Sequence, residues 1–236
     1  MKIIGIILLV ISAVMFFTRR NQQQKLFSIK RARSVTASEL TDTAGAVADE
    51  IGGGNWRDYV KLWGQITTEE PLRSEHKQEP CVHYVSTVTR EYEEKNEEGK
   101  LERKTDRVSH HRQSTKFWLK DNTGSILVNP DGADIDSVNI MDEFREERSS
   151  DSTLGYRYAE SVLPVGQDIL VVGAASDLTG QVVIGKPVQA DHKYLISLKD
   201  EERLATATSQ NAQNTGIAMF VCLGLGAVLL IWGLIS

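Results

Sequence analysis

Cysteine is nearly missing from this chain of 236 residues: there are two, Cys81 and Cys222. Cys222 lies inside an apolar run, so the rest of the chain holds one thiol and can close no internal disulfide. Folding therefore asks for no oxidising compartment. Acid is missing before residue 36, where Arg19, Arg20, Lys25, Lys30, Arg31 and Arg33 follow one another unopposed for a local charge of +6. Beyond residue 35 the balance reverses: 20 basic residues face all 32 acids, a net of −12. A domain this acidic repels phosphate backbones, which argues against nucleic acid as a partner. Charge of either sign is missing from Gly216 to Ile235, and those 20 residues match a bilayer span.

A second apolar run, Ile3 to Phe17, is stopped by Arg19-Arg20. Its 15 residues fall short of the usual ~20 for a span. Phe16-Phe17-Thr18-Arg19-Arg20 is a poor cleavage site, which favours an uncleaved signal anchor over a removable signal peptide. The basic cluster after this run suits anionic lipid headgroups. By the positive-inside rule it also puts the central domain in the cytoplasm and both termini across the membrane. Ala218, Cys222 and Gly226 form a small-residue stripe on the last span, open to close contact with the first span or with another copy of the chain.

Between the spans the pattern changes twice. Thr36 to Ile51 reads as a helix, with Thr36 or Ser38 as cap and Leu40, Ala44, Val47, Ala48 and Ile51 as its apolar stripe. Gly52-Gly53-Gly54 ends it; no GK[ST] follows, so this is a stop and hinge rather than a phosphate loop. From Trp56 the chain alternates with period 2. Val60, Leu62, Gly64 and Ile66 share one face; Val82, Tyr84, Ser86 and Val88 share another. Lys116–Lys120 and Ser125–Asn129 flank an Asx-Gly turn at Asp121 to Gly124, and Asn129-Pro130-Asp131-Gly132 is a second turn. Glu91 to Arg112 predicts a long charged hairpin about Asn96 to Lys100. Asp134 to Leu154 reads as a polar excursion with a short helix and loop. Ile169–Ala174, Gln181–Val188 and Lys193–Ile196 are further strands, the first two joined by a turn at Asp177 to Gly180. Ser197 to Asp200 resembles a capping box that opens a helix running into the last span. The expected architecture is mainly β with flanking helices: a small antiparallel barrel or sandwich, OB-like, between two transmembrane helices. The expected division is 1–18 anchor, 19–55 basic segment and amphipathic helix, 56–197 β-rich domain, 198–215 juxtamembrane helix and 216–235 second span.

Candidate chemistry is thin, and no cofactor or metal is expected. His110-His111 with His83 and Cys81 could suggest a metal site, but adjacent strand residues point to opposite faces. Cys81 and His83 share a face and could form a nucleophile and base; a buried core cysteine is the competing reading. Asn122-Thr123-Gly124-Ser125 resembles an aspartic-protease motif with Asn in place of the catalytic acid and no second copy. Asp131, Asp134 and Asp136 lack the 12-residue loop and closing Glu of a calcium site.

One ordered series of residues resembles a known family. It comprises Pro71-Leu72, Ser74, Pro80-Cys81-Val82-His83-Tyr84, Phe117 to Gly124 with Asp121, and Pro130-Asp131-Gly132-Ala133. Tyr158, Glu160, Leu163-Pro164-Val165-Gly166, Gly173 and Gly180 continue it. The series is similar to the GIDE-type domain of the mitochondrial RING-type E3 ubiquitin ligases (the MULAN family) and their prokaryotic relatives. The resemblance implies a ligase-related protein whose motif residues Pro71, Leu72, Cys81, Tyr84, Phe117, Asp121, Gly124, Pro130, Gly132, Glu160, Pro164, Gly166 and Gly173 are mainly structural. It also implies a domain facing the intermembrane space or periplasm, against the charge rule. A RING needs eight closely spaced Cys and His ligands; two Cys and five His in all do not supply them. The expected function is therefore a membrane-anchored scaffold or adaptor that binds a protein or membrane component. A ligase-related enzyme and a thiol enzyme using Cys81 are the alternatives.

Overall fold

The computed structural model describes residues 2–54, 56–147, 152–178 and 180–235. Two long helices bracket the domain: α1 (Lys2–Arg31) at the start and, after the thirteen strands found among the described residues, α3 (Glu201–Ile235) at the end. Both are long and apolar enough to cross a membrane. They pack antiparallel. Gly5 crosses Gly226 so closely that a Cβ on Gly5 would lie 3.0 Å from the Gly226 carbonyl. Ser12 Oγ donates to the Met219 carbonyl at 3.2 Å, satisfying a hydroxyl that lipid could not. Gly226 of the small-residue stripe therefore faces the first span, while Ala218 and Cys222 are half-buried.

α1 does not end at the arginines. It continues unbroken through the basic segment, which contains no proline or glycine and is rich in Gln and Lys. Its last turn, with Ile29 and Ala32, docks on Leu170, Val172 and Leu195 outside the domain. Lys61 locks this junction: its Nζ donates to the Ile29 carbonyl and pairs with Glu201 at the start of α3.

β1 (Arg33–Ser34) leads into α2 (Ala37–Ile51), whose expected cap, Thr36, accepts from the Glu39 amide. Leu40 and Ala44 of its stripe are buried; the Ile51 side chain lies outside the described residues. β2 (Arg57–Thr67) then starts the barrel. β3 (Leu72–Arg73), β4 (Pro80–Lys95) and β5 (Leu101–Ser114) leave it, and β6 (Phe117–Lys120) and β7 (Ser125–Val128) return to it. β8 (Asp134–Ile135), β9 (Val138–Glu146) and β10 (Thr153–Pro164) leave again. β11 (Asp168–Ser176), β12 (Val183–Gly185) and β13 (Leu195–Ser197) complete the domain.

Five strands close on themselves in the order β2-β6-β7-β12-β11-β2. Every joint is antiparallel except β7–β12. Counted along the chain this is the 1-2-3-5-4-1 order of an OB barrel, as expected. Its interior is filled by Val60, Leu62, Ile66, Phe117, Leu119, Ile126, Val128, Ile169, Val171 and Ile184. Period 2 delivers these side chains inward from each strand.

The two excursions from the barrel meet to build a second sheet, in which β4 carries β3 and β5 on one edge and β10, then β9, on the other. Two expectations fail here. The described residues between Asp134 and Leu154 form strands where a short helix was expected: β9 pairs antiparallel with β10 from Val138 to Glu146. The glutamates and arginine favour helix locally, but the open edge of β10 offers a ladder and oppositely charged partners, and tertiary pairing wins. The loop expected around 148–151 lies outside the described residues. β10, twelve residues long, was not expected at all. Two smaller shifts occur near the end. The strand expected over Gln181–Val188 contracts to three residues, and the last strand starts two residues later and ends one residue later than expected. The turn expected at Asp177 to Gly180 includes Thr179, outside the described residues; its Gly180 amide donates to the Asp177 carbonyl. The helix cap is Asp200, which accepts from the Arg203 amide, rather than Ser197.

Candidate functional site

Where barrel and second sheet join, the chain between β3 and β4 is tied down by one carboxylate. Glu160 on β10 is 1 % exposed. It accepts from Ser74 Oγ at 3.0 Å, the His76 amide at 2.8 Å and the Lys77 amide at 2.9 Å. Ser74 Oγ in turn accepts from the Glu79 amide at 3.0 Å. A buried carboxylate is tolerated only with such a set of donors. The histidines beside this latch are occupied. His76 Nε2 bonds Ser86 Oγ, and its ring meets the edge of Tyr158. His111 Nδ1 bonds the Glu75 carboxylate on the same side of the sheet, while His110 bonds Thr87. The adjacent histidines thus part to separate partners, as strand geometry requires. Among the described residues, no cluster of three His, Cys, Asp or Glu could hold a metal ion.

Cys81 sits in this junction opposite Leu72, fully buried, with its thiol toward the Leu72 carbonyl. Burial first, and then the nearby Glu160 charge, push the thiol up to about 11. It therefore stays protonated at neutral pH, the opposite of what a nucleophile needs. Burial, with the Arg112 charge adding to it, pushes His83 down to about 4. Its Nδ1 bonds Ser114 Oγ at 2.7 Å, not Cys81. This geometry speaks for the core-cysteine reading.

A second constellation covers one face of the outer half of this sheet. Glu91, 6 % exposed, receives Arg103 and, at 3.0 Å, Arg157 Nε. Arg157 also donates to Asp142 at 2.8 Å. Both guanidinium groups lie over the Phe144 ring, and that ring covers Gly155. Burial opposes ionisation of Glu91, but the Arg157 and Arg103 bonds outweigh it and hold the carboxyl below its usual range. The face is thus a rigid mosaic of charge and aromatic surface with strong donors and acceptors at its rim. No sequence motif pointed to it. The available signal was the alternation Tyr156-Arg157-Tyr158, which marks a strand with a polar and an aromatic side.

The remaining motif residues take places in turns, the core and strand ends. Asp121 accepts from the Thr123 and Gly124 amides and, at 2.8 Å, from the Ala37 amide, so the β6–β7 turn caps α2 from outside. Burial pushes its carboxyl up, but these bonds prevail and set it below the usual value. Gly124 lies beneath Ala37. Phe117 is in the barrel core, Pro130 is buried at the following turn, and Gly132 ends that turn against Lys186. Gly173 is required by close approach, since a Cβ there would stand 2.9 Å from the Gly185 carbonyl, Ile184 and Tyr194. Pro164 pairs with Cys81 at an irregular ladder end, and Gly166 takes φ 79° in the next turn. Tyr84 donates to Gln113 at the sheet edge, and Pro71 is exposed. Of the three aspartates spaced somewhat like calcium ligands, Asp134 pairs with Lys25 and Asp136 accepts from Ser197 Oγ, so they diverge.

A groove of about 670 Å³ runs between α2 and the barrel past Ala44, Gly45, Trp118, Ile126 and Asp177. Asp177 accepts from the Gly54 and Trp56 amides and shapes its end.

Compared with known proteins, the chain matches the family model GIDE, described as E3 Ubiquitin ligase, over residues 86–230. Neither the curated proteins nor the solved structures give a match.

Proposed function

The chain belongs to the GIDE family, and from that premise we propose that it is a membrane-anchored scaffold or adaptor, not a transferase. The family match covers most of the second sheet, the barrel's later strands and much of α3. The observation that carries the proposal is the mosaic face. Two inserted hairpins build a sheet far wider than the barrel needs, and its outer half holds arginines and aromatics, the residue types that dominate protein interfaces. The filled barrel, the protonated Cys81 and the hydrogen-bonded histidines of the second sheet offer no reacting group there. Anchored by α1 and α3, the domain is held about 20 Å from the bilayer by helical stalks of 13 to 15 residues. On this proposal it faces the cytoplasm, by the charge of the first stalk. It works on a protein partner, without nucleic acid.

The test is recovery of the full-length chain from native membranes, beside a variant in which residues 94–102 are replaced by Asn-Gly and a variant Arg157→Ala. A partner retained by the parent and lost from both variants, with thermal unfolding of the barrel unchanged, is the expected result. An identical partner set in all three would sink the proposal. The ligase-related alternative is favoured by the family description alone. Ubiquitin transfer by the purified full-length chain, in an otherwise complete assay, would establish it; none is expected.

A further inference from the structure

The six cations that follow the first apolar run have different fates. Lys25 pairs with Asp134, Arg31 with Asp191, and Arg33 with Glu39 and Asp58, so these three fasten the stalk to the domain. Each residue of helix adds about 1.5 Å, which places Lys25 about 9 Å and Arg31 about 18 Å beyond Arg19. Charges that far from a headgroup layer lie at or beyond the ~8 Å screening length of physiological salt. Only Arg19 and Arg20 stand at the membrane boundary itself.

Arg19 is built into that boundary. Its side chain lies flat on α3 at Gly216, where a Cβ would come within 3.1 Å of Nε and 3.2 Å of Cζ. Its Nε is buried without a hydrogen-bond partner. Among the described residues no carboxylate pairs with Arg19 or Arg20. Acid is absent from α1, and in α3 it is confined to Glu201 and Glu202, about 20 Å up the stalk from Gly216. A guanidinium seated against a glycine, with one nitrogen buried without a partner and no carboxylate of the described residues paired with it, is suited to hold an anion. Arginine's planar fork matches phosphate oxygens.

We propose that Arg19, seated on Gly216 and assisted by Arg20, binds a phosphate group at the membrane surface, carried by an anionic phospholipid or free in solution. The inference rests on the membrane-spanning reading of α1 and α3.

The experiment uses the full-length chain in phosphatidylcholine vesicles with a trace of spin-labelled phosphatidylglycerol or spin-labelled phosphatidylcholine, and measures the immobilised fraction of each. The parent should prefer the anionic lipid about fivefold, the selectivity expected of one such cation near the surface. Arg19→Gln and Gly216→Leu, which removes or unseats the guanidinium, should each bring the ratio close to one. Arg20→Gln should lower it in part, and Lys30→Gln should leave it alone. Arg19→Lys, which keeps the charge and most of the bulk, should restore part of it, so that lost packing can be told from lost binding. A preference that survives excess inorganic phosphate assigns the site to lipid; one abolished by it assigns the site to free phosphate. No preference in the parent, or the same preference in Arg19→Gln, overturns the proposal. A chain that carbonate extracts from the vesicles overturns the spanning reading instead.

Discussion

At the scale of single residues, Glu160 carries the most structure per atom. Removing its carboxylate in Glu160→Ala strands Ser74 Oγ and the His76 and Lys77 amides, so the cost is about 3 kcal/mol, the usual loss for a buried charge-assisted set. Denaturant unfolding should show that loss, and limited trypsin should cut faster after Lys77. Unchanged unfolding and cutting would mean the latch is ornamental. His83 makes a pH prediction. Its folded value near 4 lies below the unfolded value of 6.5, so neutral His83 contributes stability that is full above pH 6.5 and lost as pH falls toward 4. The loss is on the order of 2 kcal/mol after allowance for screening. His83→Gln should flatten the unfolding temperature between pH 6.5 and 4; an acid limb of the same steepness would assign it elsewhere. Neither role could be read from the chain. Ser74 and Glu160 stand 86 residues apart, and only the pairing of β4 with β10 brings them together. Cys81 was half legible: its place after Pro80 marked a strand start, but the proton it keeps depends first on tertiary burial and then on a carboxylate on another strand.

At the scale of elements, legibility followed how local the determinants were. α2 declared itself through Thr36, its apolar stripe and the glycines behind it. The β6–β7 hairpin did so through Asp121 to Gly124, and the β4–β5 hairpin through its alternation about Asn96. β9 and β10 were illegible because their strand character comes from each other. β9 buries Met141 beside exposed Asp142, Arg145 and Glu146, and β10 buries the charged Glu160 and then the adjacent Val162 and Leu163, so neither alternates hydrophobicity strongly enough to beat the helical preference of DEFREE. The coupling of elements was hidden too. Asp121 and Thr123 cap α2 by accepting from the Ala37 and Ser38 amides, a contact across 84 and 85 residues. Asp121→Ala should therefore cost about 1–2 kcal/mol, more than loss of an ordinary turn bond, because it uncaps a helix as well. Hydrogen exchange should quicken at Ala37 and through the first turn of α2 while the barrel strands stay protected. Equal quickening across the barrel would show that α2 and barrel open as one unit.

At the scale of the whole molecule, the antiparallel packing of the two long helices agrees with the hairpin expected from the two apolar runs. On the proposed spanning reading, such a pair would put both chain ends on one side of the bilayer and the barrel on the other. Two arguments compete for the direction. Family resemblance favours the domain outside, whereas the positive-inside rule, applied to the six cations from Arg19 to Arg33, five of them on α1, favours it inside. The structure weakens neither rule but changes what the cations mean, since three of them are paired with the domain and would travel with it. Arg19 and Arg20 remain as the free charges beside the bilayer, and translocating them would cost what the positive-inside bias reflects. The domain should therefore be protected from protease added to intact cells whose outer barrier, if present, has been opened. An epitope at the N-terminus should be digested in the same sample. Arg19→Gln with Arg20→Gln should lower that protection by removing the bias. Digestion of the domain in the parent chain would show that the two free arginines do not set the topology, and the partners of the mosaic face would then have to be sought among envelope proteins.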